Sequence, residues 1–501
     1  MAEVSKEPLP DEPVTESTVE TGVQPVEDPP FSVYTKTEKR LISSAASYAA
    51  MFSGLSTFIY YPAIVPLSRD LSVSIQLINL TITSYLVVAG IAPAFMGDMA
   101  DQTGRRPVYL LTFALYVGAN LGLALQNSYP ALLVLRMVQS AGSSGTFAAA
   151  YGVIADIAKP EERGTYVGIL IMFTCTAPSL GPVLGGILTQ HVGWRWIFWL
   201  LVIMSGVHLA VLILFFPETS RKIVNNGSIQ ARGIHRTLFS VLKSPSLPKK
   251  DVDLEEPMPK RKFRIPNPLT SIPILFNKNS LCVILVGSIY YSVTRTLSAS
   301  LSTQCIELYG LNYLEAGLVY LPSGIAGVIS SYTTGKLLDK DYRYVSKKLG
   351  CEINFRAEDG PSSFPIEKTR FRSIWALIFI STGATLGYGW SIQQKTHLAV
   401  PLTMQFLSGL TITSIFTICG TLLTDLNPHQ SSTAQASYNL VRCVGAGAGV
   451  AALDAIANAV GLGWCFTIYA GFCILAVPIS WILQTRGVQW RNKASDKSDD
   501  A

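Results

Sequence analysis

The chain has 501 residues, 49% hydrophobic and only 14% charged, where an ordinary soluble domain carries roughly 25% charged residues. A mean hydropathy of +0.35 and 8 scattered cysteines exclude collagenous, disordered and disulfide-stapled classes. The net charge of +6 would suggest nucleic acid in a soluble protein, but its distribution along the chain points to a membrane.

Residues 1–40 are rich in proline and acids, have no apolar stretch, and are expected to form a disordered tail rather than a signal peptide. Apolar segments follow at 41–67, 76–96, 107–126, 130–156, 165–190 and 194–216. A polar, Pro- and Lys-rich stretch, 218–278, separates them from segments at 279–303, 312–335, 371–392, 398–424, 433–458 and 462–484, and 486–501 is a short tail. A helix of about 20 apolar residues crosses a hydrocarbon core, so the pattern predicts an all-α membrane protein with twelve transmembrane helices.

An even number of crossings puts both termini on one side. All but six of the 39 Lys and Arg fall on that side: Arg69, Arg195 and Lys395 lie opposite, and Arg136, Arg295 and Arg442 lie within spans. By the positive-inside rule the termini are cytosolic. One missing or extra span would scatter the later basic loops to both faces, so the asymmetry also supports the count. The cysteines show no CxxC spacing and read as buried free thiols, so no metal site is expected.

Between spans two and three the chain reads GDMADQTGRR, residues 97–106. Gly97 and Gly104 permit a tight turn and close helix approach, Asp101 can cap or accept hydrogen bonds, and Arg105 and Arg106 stay at the interface. The pattern resembles the loop motif of the major facilitator superfamily, with Gln102 in place of a basic residue. In that family the aspartate meets the cytosolic end of helix 11, here Ser431 to Gln435, and holds the outward-open state. GKLLDKDYR, with Gly335, Asp339 and Lys340, is a degenerate second copy. The resemblance implies two related six-helix bundles, 41–217 and 279–485, with a site between them.

Further matches refine the resemblance. Arg136 and Gln139 in LLVLRMVQSAG match a motif of the fourth span, and an intramembrane arginine is a functional candidate by default. APSLGPVLGGIL in span five resembles the antiporter motif; Gly181, Gly185 and Gly186 allow close packing, and Pro182 bends the helix. With GWRWIFW, PET and YGLNYLEAGLVYLPSGIAGVISSYTTGKLLD, these look like the fungal drug:proton antiporter-1 group, quinidine-resistance type.

The family's cavity is lined by helices 1, 4, 7 and 10, which implies substrate contacts from Tyr48, Phe52, Tyr60, Tyr290, Tyr291, Arg295, Phe406 and Phe416. Span one has no carboxylate, which removes the usual support for cationic cargo, and Arg136 with Arg295 could share a level that suits an organic anion. Arg136 and Asp454 are the candidates for proton coupling or substrate charge.

The expected function is a proton-coupled antiporter exporting small organic molecules such as drugs, toxic compounds or secondary metabolites. The alternatives are a narrow organic-anion exporter or a non-transporting sensor. No GxxxxGK[ST] loop is present, so the proton gradient is the expected energy source. No catalytic constellation suggests an enzyme, and no cofactor or nucleic acid is expected. The expected partners are the lipid bilayer, protons and a small organic substrate. A monomer in the plasma membrane is expected, with a vacuolar or endosomal membrane as the alternative.

Overall fold

A computed structural model describes residues 31–158, 160–243, 273–349, 365–427 and 431–499. The first bundle comprises α1 (Lys36–Phe58, resumed after a 3-10 turn as Ile64–Asp70), α2 (Ile75–Thr103), α3 (Arg105–Leu125), α4 (Tyr129–Ile157), α5 (Pro160–His191) and α6 (Arg195–Phe215). The second comprises α7 (Lys278–Tyr309), α8 (Leu321–Leu349, after a short Tyr313–Leu318 turn), α9 (Ile374–Gln393), α10 (Ala399–Leu426), α11 (431–460) and α12 (462–499).

Nine stretches of the described residues are long and apolar enough on their own to cross a membrane. One of them, Thr433–Asn492, is two spans meeting at Gly461, whose φ of +81° turns the chain without a loop. The helices α4 and α9, of 29 and 20 residues, also cross; their Ser, Gly and Thr dilute their apolarity. The fold is therefore the expected all-α membrane architecture of twelve helices in two bundles.

The helix ends follow local chemistry. Thr35 and Glu38 form a capping box that starts α1, and Asn312 with Glu315 forms another before α8. Gly310 ends α7 in the left-handed region, φ +67°. One expectation is corrected here. The first tail was expected to reach residue 40, but α1 begins at Lys36, and Val33 and Tyr34 are tied by hydrogen bonds to Asn226 and Glu218. In the expected second tail, residues 486–499 are helical and continue α12. Residues 1–30, expected to be disordered, lie outside the described residues, as does most of the middle stretch beyond 243.

The bundles meet along two seams, α2 against α11 and α5 against α8. The contacts at Asn79, Thr83, Gln190 and Gly186 lie toward the side away from the termini, called distal below, and the Asn439 contact lies nearer the middle of the helices. Asn79 donates to the Asp454 carboxylate at 2.7 Å, Thr83 to Gly447 O at 3.0 Å, and Asn439 to Ala89 O at 3.0 Å. In the other seam the Tyr313 N–H donates to Gln190 at 3.0 Å, and Gly186 and Gly317 bring α5 against the start of α8. The Tyr61 and Tyr320 rings stack at 5.8 Å beside them.

Candidate functional site

The distal seal depends on missing side chains. A Cβ on Gly185 would collide with the Ile59 carbonyl, and one on Gly181 would lie 2.9 Å from Phe58 Cβ, so α5 packs directly on the break in α1. On Gly186 it would lie 2.5 Å from Tyr313 O. Pro182 O faces Gly317 in the same way. In α11, Gly445 and Gly449 face Ser292 and Thr296 of α7, while Gly447 faces α2.

Beneath this seal lies Arg136, fully buried. Its Nη1 donates to Ser56 O at 3.2 Å and to Gln139 Oε1 at 2.6 Å. Its guanidinium carbon lies 4.2 Å from the Tyr60 ring centroid and 4.5 Å from that of Tyr85. Gln139 continues the network to Asn120, and Tyr60 bonds to Thr81. Tyr60 is fully buried, so it encloses Arg136 rather than lining open space.

A second cluster stands between the bundles. Arg295 lies 4.6 Å from the Phe58 ring centroid and 4.7 Å from that of Tyr291, and its Nε and Nη1 are buried without a hydrogen-bond partner among the described residues. Arg442 of α11 lies 4.9 Å from both Tyr291 and Phe416. Its Nε and Nη2 both donate to Asn439 Oδ1, at 3.1 and 2.7 Å. Phe416 stacks on Tyr438 at 5.6 Å and stays 37% exposed. Tyr151 of α4 is 40% exposed and within electrostatic reach of Arg442. These partly exposed rings face interior partners, so the space they border opens toward the face bearing the termini.

Besides Tyr60, three residues expected in this space are elsewhere. Phe52 is fully buried within the first bundle, edge-on to Phe113 at 5.5 Å and to Tyr116 at 5.5 Å. Tyr48, one turn away on the same face of α1, packs edge-on to Phe173 and His208. Tyr290 is buried in the second bundle and donates to Cys473 O of α12 at 3.2 Å. Its neighbour Tyr291 is the one that faces the arginines, because successive residues on a helix point about 100° apart. Phe406 is half-buried in the distal half of α10. Arg442 and Tyr438 belong to the cluster although α11 was not expected to line it; the signal for Arg442 was its charge inside a span.

On the terminal face, Asp101 pairs with Arg105 at 2.7 Å and is 53% exposed. The expected meeting with the start of α11 is not made by Gln435, which donates to Gly420 O and Thr424 of α10; the side chains of Ser431 and Ser432 lie outside the described residues. Arg105 also binds Asp156 at 3.0 Å. Arg106 is buried and donates to Leu212 O and Ile213 O at the end of α6 and to Phe216 O just beyond it. Gly97, expected at a close approach, has open space where a Cβ would be. Gly104 sits at φ +101°, and a Cβ there would strike Glu218.

Glu218, from the PET triplet, holds this corner together. Its carboxylate accepts from the Arg105 N–H at 2.8 Å, the Arg106 N–H at 3.3 Å, and the Thr219 and Ser220 N–H groups at 3.0 Å, and it pairs with His235 Nδ1 at 2.9 Å. Burial alone would raise its pKa, but His235 and the N–H donors of Ser220 and Arg105 outweigh burial and hold it below the usual carboxylate range. The second bundle repeats the corner in altered form, with Arg370 bound to Asp425 at 2.9 Å and Glu367 to Arg491.

Two bundles sealed on one side, with a charged and aromatic space open on the other, are the architecture of an alternating-access transporter. The profile of the Major Facilitator Superfamily matches residues 46–351. The chain is 37% identical over 96% of its length to the MFS-type transporter phiD of a fungal species, covering 73% of that protein. It is 36% identical over 94% of its length to Citrate exporter 1 of Aspergillus niger, covering 90% of it. Among solved structures, a bacterial homologue of the lysosomal transporter Spinster superposes with a TM-score of 0.62 at 14% identity, over 91% of this chain and 99% of that one. The chain belongs to the major facilitator superfamily, and is a multi-pass membrane protein of the secondary-transporter class.

Proposed function

We propose that the protein is a proton-coupled antiporter that exports small organic molecules, among them drugs, toxic compounds or secondary metabolites, from the cytosol across the plasma membrane as a monomer. The observation that carries this reading is the space bordered by Tyr151, Tyr291, Phe416 and Arg442, which opens on the face bearing the termini while the opposite side is sealed. The excess of Lys and Arg on that face supports placing it in the cytosol, and on that reading the described state is the one in which an exporter loads. The name of the Aspergillus niger relative supports export, and the likeness of span five to an antiporter motif supports exchange for protons.

Asp454 is the proposed proton acceptor. Its carboxylate accepts from Asn79 across the distal seam, and an external proton would weaken that bond and favour opening on the outside. Arg136, held between Tyr60 and Tyr85, would keep the first bundle rigid while the bundles rock. The test is purified protein in liposomes with an imposed pH gradient. Cargo movement driven by the gradient is expected, and movement indifferent to it would remove the proton coupling. Tags placed in 244–272 and found outside cells would overturn the orientation.

A further inference from the structure

The charges of the inter-bundle space are lopsided. Arg295 and Arg442 face it, and neither has a carboxylate partner among the described residues: Arg442 bonds to the neutral Asn439, and Arg295 has rings above two buried nitrogens unpartnered among those residues. The acids Asp156, Asp425 and Asp454 are committed to Arg105, Arg370 and Asn79. Buried guanidinium nitrogens without acceptors are costly, and a carboxylate is the group whose geometry satisfies them. Both guanidinium carbons lie under 5 Å from the Tyr291 centroid, so they stand no more than about 10 Å apart, within reach of one small ligand.

We propose that the cargo is a small organic anion, its carboxylate held by Arg295 and Arg442 and its flat body laid on the exposed face of Phe416. This rests on the exporter reading above. Arg136 is not part of the site: its Nε and Nη2 are also buried without a partner among the described residues, but the whole residue is enclosed within the first bundle by Tyr60 and Tyr85, whereas Arg295, Arg442 and Phe416 are partly exposed between the bundles. By rise per residue Arg442 lies about 16 Å from the terminal end of α11 and Arg295 about 26 Å from that of α7, so an entering anion meets Arg442 first.

The site also touches both closures. Asn439, which holds Arg442, donates across the α2–α11 seam to Ala89 O, and Phe58 beneath Arg295 is the residue against which Gly181 packs. An anion that draws Arg442 off Asn439 competes directly with a contact next to the seam.

The test uses the full chain in proteoliposomes with an imposed pH gradient, offered naphthoate, its neutral amide, citrate and the cation tetraphenylphosphonium. Saturable transport of naphthoate or citrate, with the amide and the cation left behind, is the expected result. Arg295→Gln and Arg442→Gln should each raise the KM for the transported anion at least about tenfold, with Arg295→Lys and Arg442→Lys losing less. Competition in the unmodified protein, naphthoate against its amide, gives the same answer if a variant does not fold. Transport of the amide or the cation in preference to both anions would overturn the proposal and leave the exporter standing. Failure to move any of the four would bring down both.

Discussion

Glu218→Gln tests the terminal-face corner most directly. The variant keeps the shape but not the charge: its carbonyl oxygen can still accept the three N–H groups of Arg105, Thr219 and Ser220, while its amide nitrogen is set against the Arg106 N–H. Each bond to a charged acceptor is worth about 1 kcal/mol more than its neutral counterpart, so the loss is about 3 kcal/mol. Amide exchange in peptides spanning 104–108 and 218–221 should then run about a hundredfold faster than in the unmodified protein. The pH dependence gives a second reading. Because folding lowers the Glu218 pKa from 4.5, its contribution is present above that value and is lost as pH falls through the lower folded one. Protection of these amides, measured against their intrinsic exchange rate at each pH, should therefore fall on acidification in the unmodified protein, and the variant should respond less. Equal exchange in both proteins at neutral pH would refute the reasoning.

Gly104→Ala combines a positive φ with a collision against Glu218 and should cost about 2 kcal/mol or more in thermal unfolding. Gly97→Ala meets nothing in this state and should stabilise by about 0.5–1 kcal/mol, yet slow transport, because the bundles must approach there when the terminal face closes; unchanged turnover would count against that approach. Phe52→Ala should destabilise by about 3 kcal/mol or more as a core cavity, while Phe416→Ala should leave unfolding nearly unchanged and alter cargo affinity. Asn79→Ala should lengthen spin-label distances between the distal ends of α2 and α11, and identical distance distributions would show that the Asp454 bond does not hold the seam.

The span count was legible because two signals agree: apolar length, and the confinement of basic residues to one face. The two helices that fall short on apolarity, α4 and α9, were still recoverable, since omitting either would have moved every later basic loop to the wrong side. The facing of individual side chains was much less legible. Spans that are apolar nearly all round give no phase, so Tyr290 and Tyr291 look equivalent until α12 buries one of them. Phe52 was assigned to the cavity by its helix, but which side of α1 turns to α3 and α6 depends on packing. Arg442 was visible as a charge in a span and hidden only by the expectation that α11 stands back from the cavity. Glu218 lies just beyond a span, and its donors come from α3 and the residues after α6, a convergence no local pattern announces.

The direct contact of Gly185 with the Ile59 backbone, and of Gly186 with that of Tyr313, means that on the α5 side the distal closure is backbone against backbone, with no side chain at those points to swing aside on its own. Such a plug yields only when whole helices part, so thermal jiggling of single groups cannot open a thread of water through it. A carrier idling in an energised membrane is thereby kept electrically silent, and the ion gradients of the cell are not drained through proteins that have nothing aboard.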